Sequence, residues 1–272
     1  MAAILHFRKK NLLAIVILLI LIVSLAGPFI YLHFPRHCIP HVDLERTGTN
    51  PNPKIVILSG EQCTSDNPNT KCRMIGPLSY YNRREYHARH RGRYELRDNF
   101  TSYFDEVAQY GFVPAWAKIK ILLDELGRND HDWIFWIDTD ALITNMDIEL
   151  ERFVDDRYSL IITEDLNDLN AGVFMLKIND WSRKYMQDIW SKANRYENEQ
   201  DYMIRLLKEP EYQAETHVKY LPQCSFNSYW EVKAWTEMYR PGDFIVHWAG
   251  HNYDSSSFPK WRPDRYFKSG YY

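Results

Sequence analysis

Short apolar runs alternate with longer segments of helical period along most of the chain after residue 53. The apolar runs predict buried strands at 54–59, 94–96, 133–137, 160–163, 172–176 and 244–246. Helical spacing and helix-end signals predict helices at 79–91, 114–126, 179–195 and 199–207. Because strands alternate with helices, we expect an α/β domain with a mainly parallel sheet covered by helices.

The N-terminus has a different pattern, a single long apolar segment. Twelve of the fifteen residues from Leu12 to Ala26 are Leu, Ile or Val, which favours the bilayer by about 4–7 kcal/mol. A basic triplet precedes it, so the positive-inside rule predicts a cytosolic tail at 1–10 and a transmembrane signal-anchor at 11–34, with everything after it lumenal. The alternative is a signal peptide cleaved after Ala26.

The segment after the anchor resembles a linker. Residues 35–53 contain four prolines and no helical or strand period, which predicts a stem followed by a lumenal domain at 54–272. Among the cysteines, Cys63 and Cys72 flank a short polar loop and favour a local bridge. Cys38 and Cys224 are then free, paired with each other, or engaged in intermolecular disulfides. Asn99 begins an N-glycosylation sequon.

Composition narrows the function classes. The net charge of −3 is not basic enough to predict nucleic-acid binding. The aromatic content of 15% indicates either a large core or a sugar-binding groove, and Trp230 and Trp235 are open to both interpretations. The sequence has no dinucleotide fingerprint after a strand, no P-loop, no HExxH and no GxSxG, so the simplest dehydrogenase, nucleotidase, metalloprotease and hydrolase functions are excluded.

The sharpest feature is a pair of carboxylates after a strand. Asp138 and Asp140 follow the apolar run 133–137, at the end of a strand where open α/β sheets bind ligands. An extended chain would place both carboxylates on one side, and oxygen ligands suit Mg²⁺ or Mn²⁺ bound to phosphates. Asp130 and Asp132 form a second such pair, but they precede the strand and indicate a solvated turn.

A histidine at the end of the last strand is the candidate third metal ligand. His247 leaves the predicted strand 244–246, and Gly250 permits a close backbone approach in the turn that follows. His251 is a weaker candidate, as a phosphate contact. A lone histidine is usually structural, so this assignment depends on the glycine and the second histidine in one tight turn.

At these residues the sequence resembles the galactosyltransferase/α-mannosyltransferase family (glycosyltransferase family 34), which includes fungal Golgi α-1,6-mannosyltransferase subunits and plant xyloglucan xylosyltransferases. The matching blocks lie in order along residues 55–251. They are Tyr81-Asn82-Arg83-Arg84, Ala115-Trp116-Ala117-Lys118, the segment 133–141, Asn170-Ala171-Gly172 with Trp181, Glu199-Gln200-Asp201, and His247-Trp248-Ala249-Gly250. One departure is that Asn252 and Tyr253 stand where related sequences often carry a lysine.

The resemblance implies a GT-A fold, a nucleotide-sugar donor and retention of anomeric configuration. It implies that Asp138, Asp140 and His247 hold Mn²⁺ or another divalent cation. The other donor-binding candidates are Ser59 and Gly60 beside the base and ribose, Lys118, Asn170, Gly172, Gly250 and His251. Lys118 is alternatively a surface lysine, and Asn170 and Gly172 alternatively a turn.

The same resemblance places the catalytic candidates in one short segment. Gln200 matches the position of an amide near the reacting carbon, and Glu199 or Asp201 would orient the sugar hydroxyls. The alternative is simple capping, because acidic residues favour a helix N-terminus.

These observations predict a Golgi membrane enzyme of single-pass type II topology. It would transfer a hexosyl or pentosyl unit from a nucleotide-sugar to a glycan or glycoprotein acceptor, either alone or in an oligomer with itself or other glycosyltransferases. The alternative function is a non-catalytic subunit or nucleotide-sugar-binding module of a transferase complex.

Overall fold

The computed structural model describes Cys38 and residues 49–60, 76–165, 168–229 and 238–249. Outside these ranges lie the predicted anchor at 11–34, most of the stem, the Cys63–Cys72 bridge, and the candidates Trp230, Trp235, Gly250 and His251. Of the helices in the described ranges, none is long and apolar enough to cross a membrane.

The described ranges contain strands in two sheets. In chain order they are β1 (Ile55–Leu58), β2 (Glu95–Arg97), β3 (Trp133–Ile137), β4 (Ala141–Ile143), β5 (Leu160–Asp165), β6 (Asp168–Lys177), β7 (Val218–Leu221), β8 (Ser228–Tyr229) and β9 (Ile245–His247). The larger sheet has the order β2-β1-β3-β6-β5-β7. Its pairs are parallel except those that β6 makes with β3 and β5. The mainly parallel sheet is confirmed, with β6 as the exception because it forms a hairpin with β5.

Helices cover this sheet. They are α1 (Gly76–Arg89), α2 (Thr101–Gln109), α3 (Trp116–Arg128), α4 (Asp180–Trp190), α5 (Glu199–Leu207) and the short α6 (Ala214–His217). The predicted helix 199–207 is confirmed, and α4 ends five residues before the predicted residue 195. The side chains of Asn179 and Asn198 cap α4 and α5 by accepting from Ser182 and Asp201 backbone N–H groups.

The buried strand β3 divides the core into two clusters. Ile134 and Trp136 pack in one cluster with α3, whereas Trp133, Phe135 and Ile137 pack in the other. This alternation follows from the two-residue period of a strand whose faces are both covered. Every residue of β3 is therefore buried, and the polar residues that follow it mark where the chain reaches an open edge.

A second, three-stranded sheet lies against the second cluster. Its order is β4-β9-β8, in which β9 pairs antiparallel with β4 and parallel with β8. Ala141 is the register partner of His247, and the N–H of Trp248 donates to the carbonyl of Asp140 at 3.0 Å. This small sheet brings the last strand beside the Asp138–Asp140 segment.

A disulfide joins Cys38 to Cys224 across 186 residues of sequence. Of the alternatives that the sequence leaves open for these two cysteines, the structure shows the mutual pair. The N–H of Asn50 also donates to Asp156 at 2.7 Å, and Thr49 is buried. The predicted stem is thus attached to the folded domain at two points.

Candidate active site

The two carboxylates of the Asp-x-Asp pair lie in a turn rather than in an extended chain. β3 ends at Ile137, and the N–H of Ala141 donates to the carbonyl of Asp138 at 3.1 Å. The expectation of an extended segment is therefore wrong. β4 starts at Ala141, directly after this turn, and pairs with β9 in the smaller sheet. Asp140 is buried, whereas the Asp138 side chain is 30% exposed.

His247 completes a cluster of possible metal ligands. One ligand atom from each of Asp138, Asp140 and His247 lies within 4.8 Å of the others. Nε2 of His247 is 3.5 Å from Oδ1 of Asp140. Two carboxylates and one imidazole make a donor set that suits Mn²⁺ and related divalent cations. The residues of the predicted metal site therefore lie together and provide appropriate donor atoms.

Gly172 provides the space that the imidazole occupies. An ideal Cβ built on Gly172 would lie 2.2 Å from Cε1 and 2.8 Å from Nε2 of His247. The sequence makes Gly172 a donor-binding candidate, whereas in the structure the atoms closest to this position belong to His247. Gly172 also accepts a hydrogen bond at 2.8 Å from the N–H of Asp138. One glycine therefore contacts two of the candidate ligands.

Lys118 is buried in the same site and links it to α5. Its Nζ lies 3.2 Å from Asp138 Oδ1 and 2.8 Å from Glu199 Oε1, and it donates to the carbonyl of Ala171 at 2.8 Å. Burial by itself would lower the pKa of Lys118, but the charges of Asp138 and Glu199 outweigh it and raise that pKa. Lys118 is buried, so the alternative of a surface lysine is wrong, and its ammonium group lies at the site.

Most of the described residues of the predicted donor, metal and catalytic sites line one cavity of about 420 Å³. Its lining comprises Ala115, Lys118, Asp138, Asp140, Asp165, Asn170, Gly172, Asn198, Glu199, Gln200, Tyr229, His247 and Ala249. This volume is in the range of small-molecule sites. The lining is largely polar, and it combines one cation with several carboxylates and amides, as a ligand carrying both phosphates and hydroxyls requires.

Asn170, Gln200 and Glu199 are held in place by neighbouring groups. Asn170 lies within β6, where its Oδ1 accepts from the N–H of Gly172 at 2.9 Å. Oε1 of Gln200 accepts from the N–H of Ala171 at 2.8 Å. Glu199 is 4% exposed and paired with Lys118. These contacts order the side chains before any ligand binds.

Of the sequence candidates that the structure describes, three are not among the residues that line the cavity. Ser59 and Gly60 follow β1, where Gly60 accepts from the Thr139 hydroxyl at 3.1 Å and faces Phe104. Asp201 occupies the first turn of α5, and its N–H is capped by Asn198. The backbone of Asp201 therefore takes part in capping the helix, and the capping side chain is that of Asn198.

Some residues that line the cavity or contact its lining carry no signal in the sequence. Asp165 ends β5, Tyr229 lies in the two-residue β8, and Asn227 contacts His247 from the loop before β8. Asn198 has a recognisable signal, because Asn before an acidic first turn is typical of a helix cap. Asp165, Asn227 and Tyr229 reach the site only through strand pairing that is distant in sequence.

The second Asp-x-Asp pair lies before β3, as expected. Asp130 is exposed and contacts Arg97 and His131, and Asp132 accepts from the N–H of Lys54 at 2.8 Å. His131 and Asp130 also approach Glu125, but Arg97 pairs with both of these carboxylates. The cluster is therefore an ion-pair network that joins β2 to α3.

Comparison of the sequence with known proteins identifies the family of the chain. The model of the galactosyl transferase GMA12/MNN10 family matches residues 51–158 and 154–257. An alpha-1,2-galactosyltransferase of Schizosaccharomyces pombe (strain 972 / ATCC 24843) is 27% identical over 250 residues, covering 75% of this chain and 64% of the relative. The probable glycosyltransferase 7 of Oryza sativa subsp. indica is 31% identical over 86 residues, covering 28% of this chain and 19% of that protein.

A solved structure shares the fold. The glycosyltransferase involved in the glycosylation of the major capsid of PBCV-1 superposes with a TM-score of 0.53 at 16% identity, covering 73% of this chain and 94% of that one. At this identity the likeness is one of fold alone, and it concerns the α/β domain described above. The chain spans 64% of the length of the fission-yeast galactosyltransferase.

Proposed function

The chain belongs to the galactosyl transferase GMA12/MNN10 family, and from this premise we propose that it is a metal-dependent, retaining glycosyltransferase. The donor is a nucleotide-sugar and the acceptor a glycan or glycoprotein. Among hexosyl and pentosyl units we favour galactosyl, because the fission-yeast relative is named an alpha-1,2-galactosyltransferase.

The observation that carries this proposal is the convergence of Asp138, Asp140 and His247 at the cavity. These residues would hold a divalent cation. When bound, such an ion supplies positive charge for the diphosphate leaving group. The buried pair of Asp140 and His247 is suited to this role because the surrounding strands β4 and β9 fix both residues.

The chain's own side chains account for sugar binding and orientation. Lys118 supplies a fixed positive charge beside Asp138, which favours an anionic donor. Asn170 and Glu199 offer hydrogen-bonding groups to sugar hydroxyls from the cavity wall. Because these groups are preorganised by β6 and α5, little conformational freedom is lost when the donor binds.

The proposal that the enzyme retains the anomeric configuration is based on the position of Gln200. Its Oε1 is a hydrogen-bond acceptor for Ala171 and retains a second lone pair. An amide oxygen can steady positive charge that develops at the reacting carbon, although it is a poor nucleophile. We therefore propose a front-face displacement in which the leaving phosphate helps to take the acceptor proton, which gives an α-linked product from an α-configured donor.

For the cell we propose a single-pass type II protein of the Golgi membrane, anchored by residues 11–34 with the catalytic domain lumenal. The disulfide between Cys38 and Cys224 supports an oxidising compartment. Asn99, which begins the sequon, is exposed. Protease protection of the domain and glycosylation of Asn99 in sealed microsomes test this topology. Digestion of the domain would indicate the opposite orientation in the membrane.

Donor turnover tests the activity. The purified full chain is incubated with UDP-galactose, UDP-glucose, UDP-xylose or GDP-mannose, with and without Mn²⁺, and the release of nucleotide and the anomer of the product are measured. We expect turnover that Mn²⁺ stimulates and that Asp140→Ala abolishes. Asp130→Ala is the matched control, since it removes an exposed aspartate of the other Asp-x-Asp pair. Turnover of Asp140→Ala equal to wild type would contradict the metal site, and a β-linked product would contradict retention.

A further inference from the structure

A chain of hydrogen bonds leads from the backbone of β6 to the imidazole of His247. The N–H of Gly172 donates to Oδ1 of Asn170 at 2.9 Å, and Nδ2 of Asn170 donates to Oδ2 of Asp165 at 2.7 Å. Nδ2 of Asn227 approaches the same carboxylate oxygen at 3.4 Å. Oδ1 of Asn227 then lies 2.8 Å from Nδ1 of His247.

The direction of each donor in this chain is fixed by its chemistry. A backbone N–H can only donate and an ionised carboxylate can only accept. Asn227 must therefore turn its NH₂ group toward Asp165 and its carbonyl oxygen toward His247. That oxygen can only accept, so Nδ1 of His247 carries a proton, and the ring atom left to bind a metal is Nε2.

Nε2 of His247 faces the candidate metal position. It is the ring atom that lies 3.5 Å from Oδ1 of Asp140. Without a partner at Nδ1, the Asp140 carboxylate would attract the imidazole proton to Nε2, and that nitrogen would no longer be a metal ligand. The two ring nitrogens are thus in competition for one proton, and the partner at Nδ1 decides the outcome.

We propose that Asn227 is a positioning residue that fixes the tautomer and orientation of His247 for metal binding. The inference rests on the proposed function in assuming that a divalent cation binds at Asp138, Asp140 and His247. Asn227 does not itself line the cavity. It acts through the imidazole, as partners of ligating histidines commonly do.

The local structure holds Asn227 rigidly in this position. Asn227 is fully buried, its N–H donates to the carbonyl of Gln223 at 2.8 Å, and its carbonyl accepts from Gln223 Nε2 at 3.1 Å. The neighbouring Cys224 is anchored by its disulfide to Cys38. The strand β8, which pairs with β9 and so with His247, starts at the next residue. The acceptor is therefore in place before any metal arrives.

Two variants at the position separate the hydrogen bond from packing. Asn227→Leu keeps a side chain that branches at Cγ and removes the acceptor, whereas Asn227→Asp keeps an acceptor for Nδ1–H. Asn179→Ala is the matched control, because it removes a capping asparagine that contacts Ser159 and Ser182. Mn²⁺ affinity of the full chain in detergent is measured from the EPR signal of free Mn²⁺, and the ¹⁵N shifts of the histidine rings report the tautomer.

We expect Asn227→Leu to weaken Mn²⁺ binding about 10–100-fold and to remove the Nδ1–H signature of His247. Asn227→Asp should keep the Nδ1–H signature because its carboxylate still accepts from the ring, and Asn179→Ala should change neither the signature nor the affinity. Equal affinity of Asn227→Leu and wild type would overturn the positioning role while leaving the metal site intact. Absence of Mn²⁺ binding by the wild-type chain would instead overturn the proposed function. If Asn227→Leu does not fold, an unprotonated Nδ1 in the wild-type ¹⁵N spectrum overturns the inference.

Discussion

Gly172 lies so close to the imidazole of His247 that no side chain fits at position 172. A Cβ on Gly172 would lie 2.2 Å from the ring carbon Cε1 of His247. Gly172 lies on β6 in the larger sheet and His247 on β9 in the smaller one. The close approach of these two strands therefore sets where the imidazole can lie. It follows that the position of the imidazole at the candidate metal site depends on a residue with no side chain.

Gly172→Ala should accordingly displace His247 and weaken Mn²⁺ binding at least about 10-fold, the loss seen when a metal ligand's support is removed. The measurement is Mn²⁺ affinity by EPR together with circular dichroism to confirm folding. Gly127→Ala is the matched control, because a Cβ there meets nothing within 4 Å. It should leave metal binding unchanged and stabilise α3 by about 0.5–1 kcal/mol. Unchanged metal affinity in Gly172→Ala would contradict the steric role.

Lys118→Met tests the buried ion pairs at the cavity. The variant leaves Asp138 and Glu199 without the cation that now lies 3.2 and 2.8 Å from them, so we expect a loss of about 3–5 kcal/mol of unfolding free energy. Because the pKa of Lys118 is raised, its contribution is fully present below its unfolded pKa of about 10.4. The loss should therefore be the same at pH 6 and pH 8.

Urea denaturation at these two pH values measures the effect. Lys120→Met is the control, since Lys120 forms a partly exposed pair with Glu106 at 3.1 Å and should cost less than about 1 kcal/mol. Similar losses in the two variants would show that the Lys118 pairs contribute no more than a surface pair.

Asp155 should make the domain sensitive to acid. Burial alone would raise its pKa, but hydrogen bonds from Arg157 and Lys219, at 2.7 and 2.8 Å from Oδ2, hold that pKa below its ordinary value. A lowered pKa stabilises the fold above the unfolded value of about 3.9, and this stability is lost as the pH falls through the folded pKa.

Asp155→Asn should therefore lower the unfolding free energy by about 1.5–3 kcal/mol at pH 7, and its difference from wild type should shrink as the pH falls below about 4. Urea denaturation across this pH range gives both quantities. Asp147→Asn, whose carboxylate is 76% exposed beside Arg89, should show little change at any pH. A difference for Asp155→Asn that is independent of pH would contradict the linkage.

The disulfide between Cys38 and Cys224 closes a loop of 186 residues of sequence separation. Because a long loop loses much chain entropy when it is closed, Cys38→Ser should destabilise the domain by about 2–5 kcal/mol. Thermal unfolding measures the loss, and mass spectrometry of non-reduced peptides identifies the bond. Reducing agent should lower the melting temperature of wild type more than that of Cys38→Ser. Peptides that pair Cys38 with another cysteine would contradict this assignment.

The sequence by itself determined the strand β3, which is a wholly apolar run, and the helix α5, which combines an apolar period with a capping residue. The helix α2 and the strands β4, β7 and β8 were not predicted. The sequence also indicated Asp138 and Asp140, since carboxylates directly after a buried strand reach an open edge of the sheet. Period two, however, predicted their geometry incorrectly, because the chain turns at these residues instead of extending.

Only the tertiary structure decided which distant residues meet at the cavity. Lys118 lies on a helix that could face solvent or sheet, and its burial follows from packing of α3 against β3 and from pairing with Glu199 on α5. Asn227 carries no signal in the sequence, because its contact with His247 depends on the pairing of β8 with β9. Local periodicity specifies which residues are buried, whereas strand pairing over long sequence separations specifies which of the polar ones face each other.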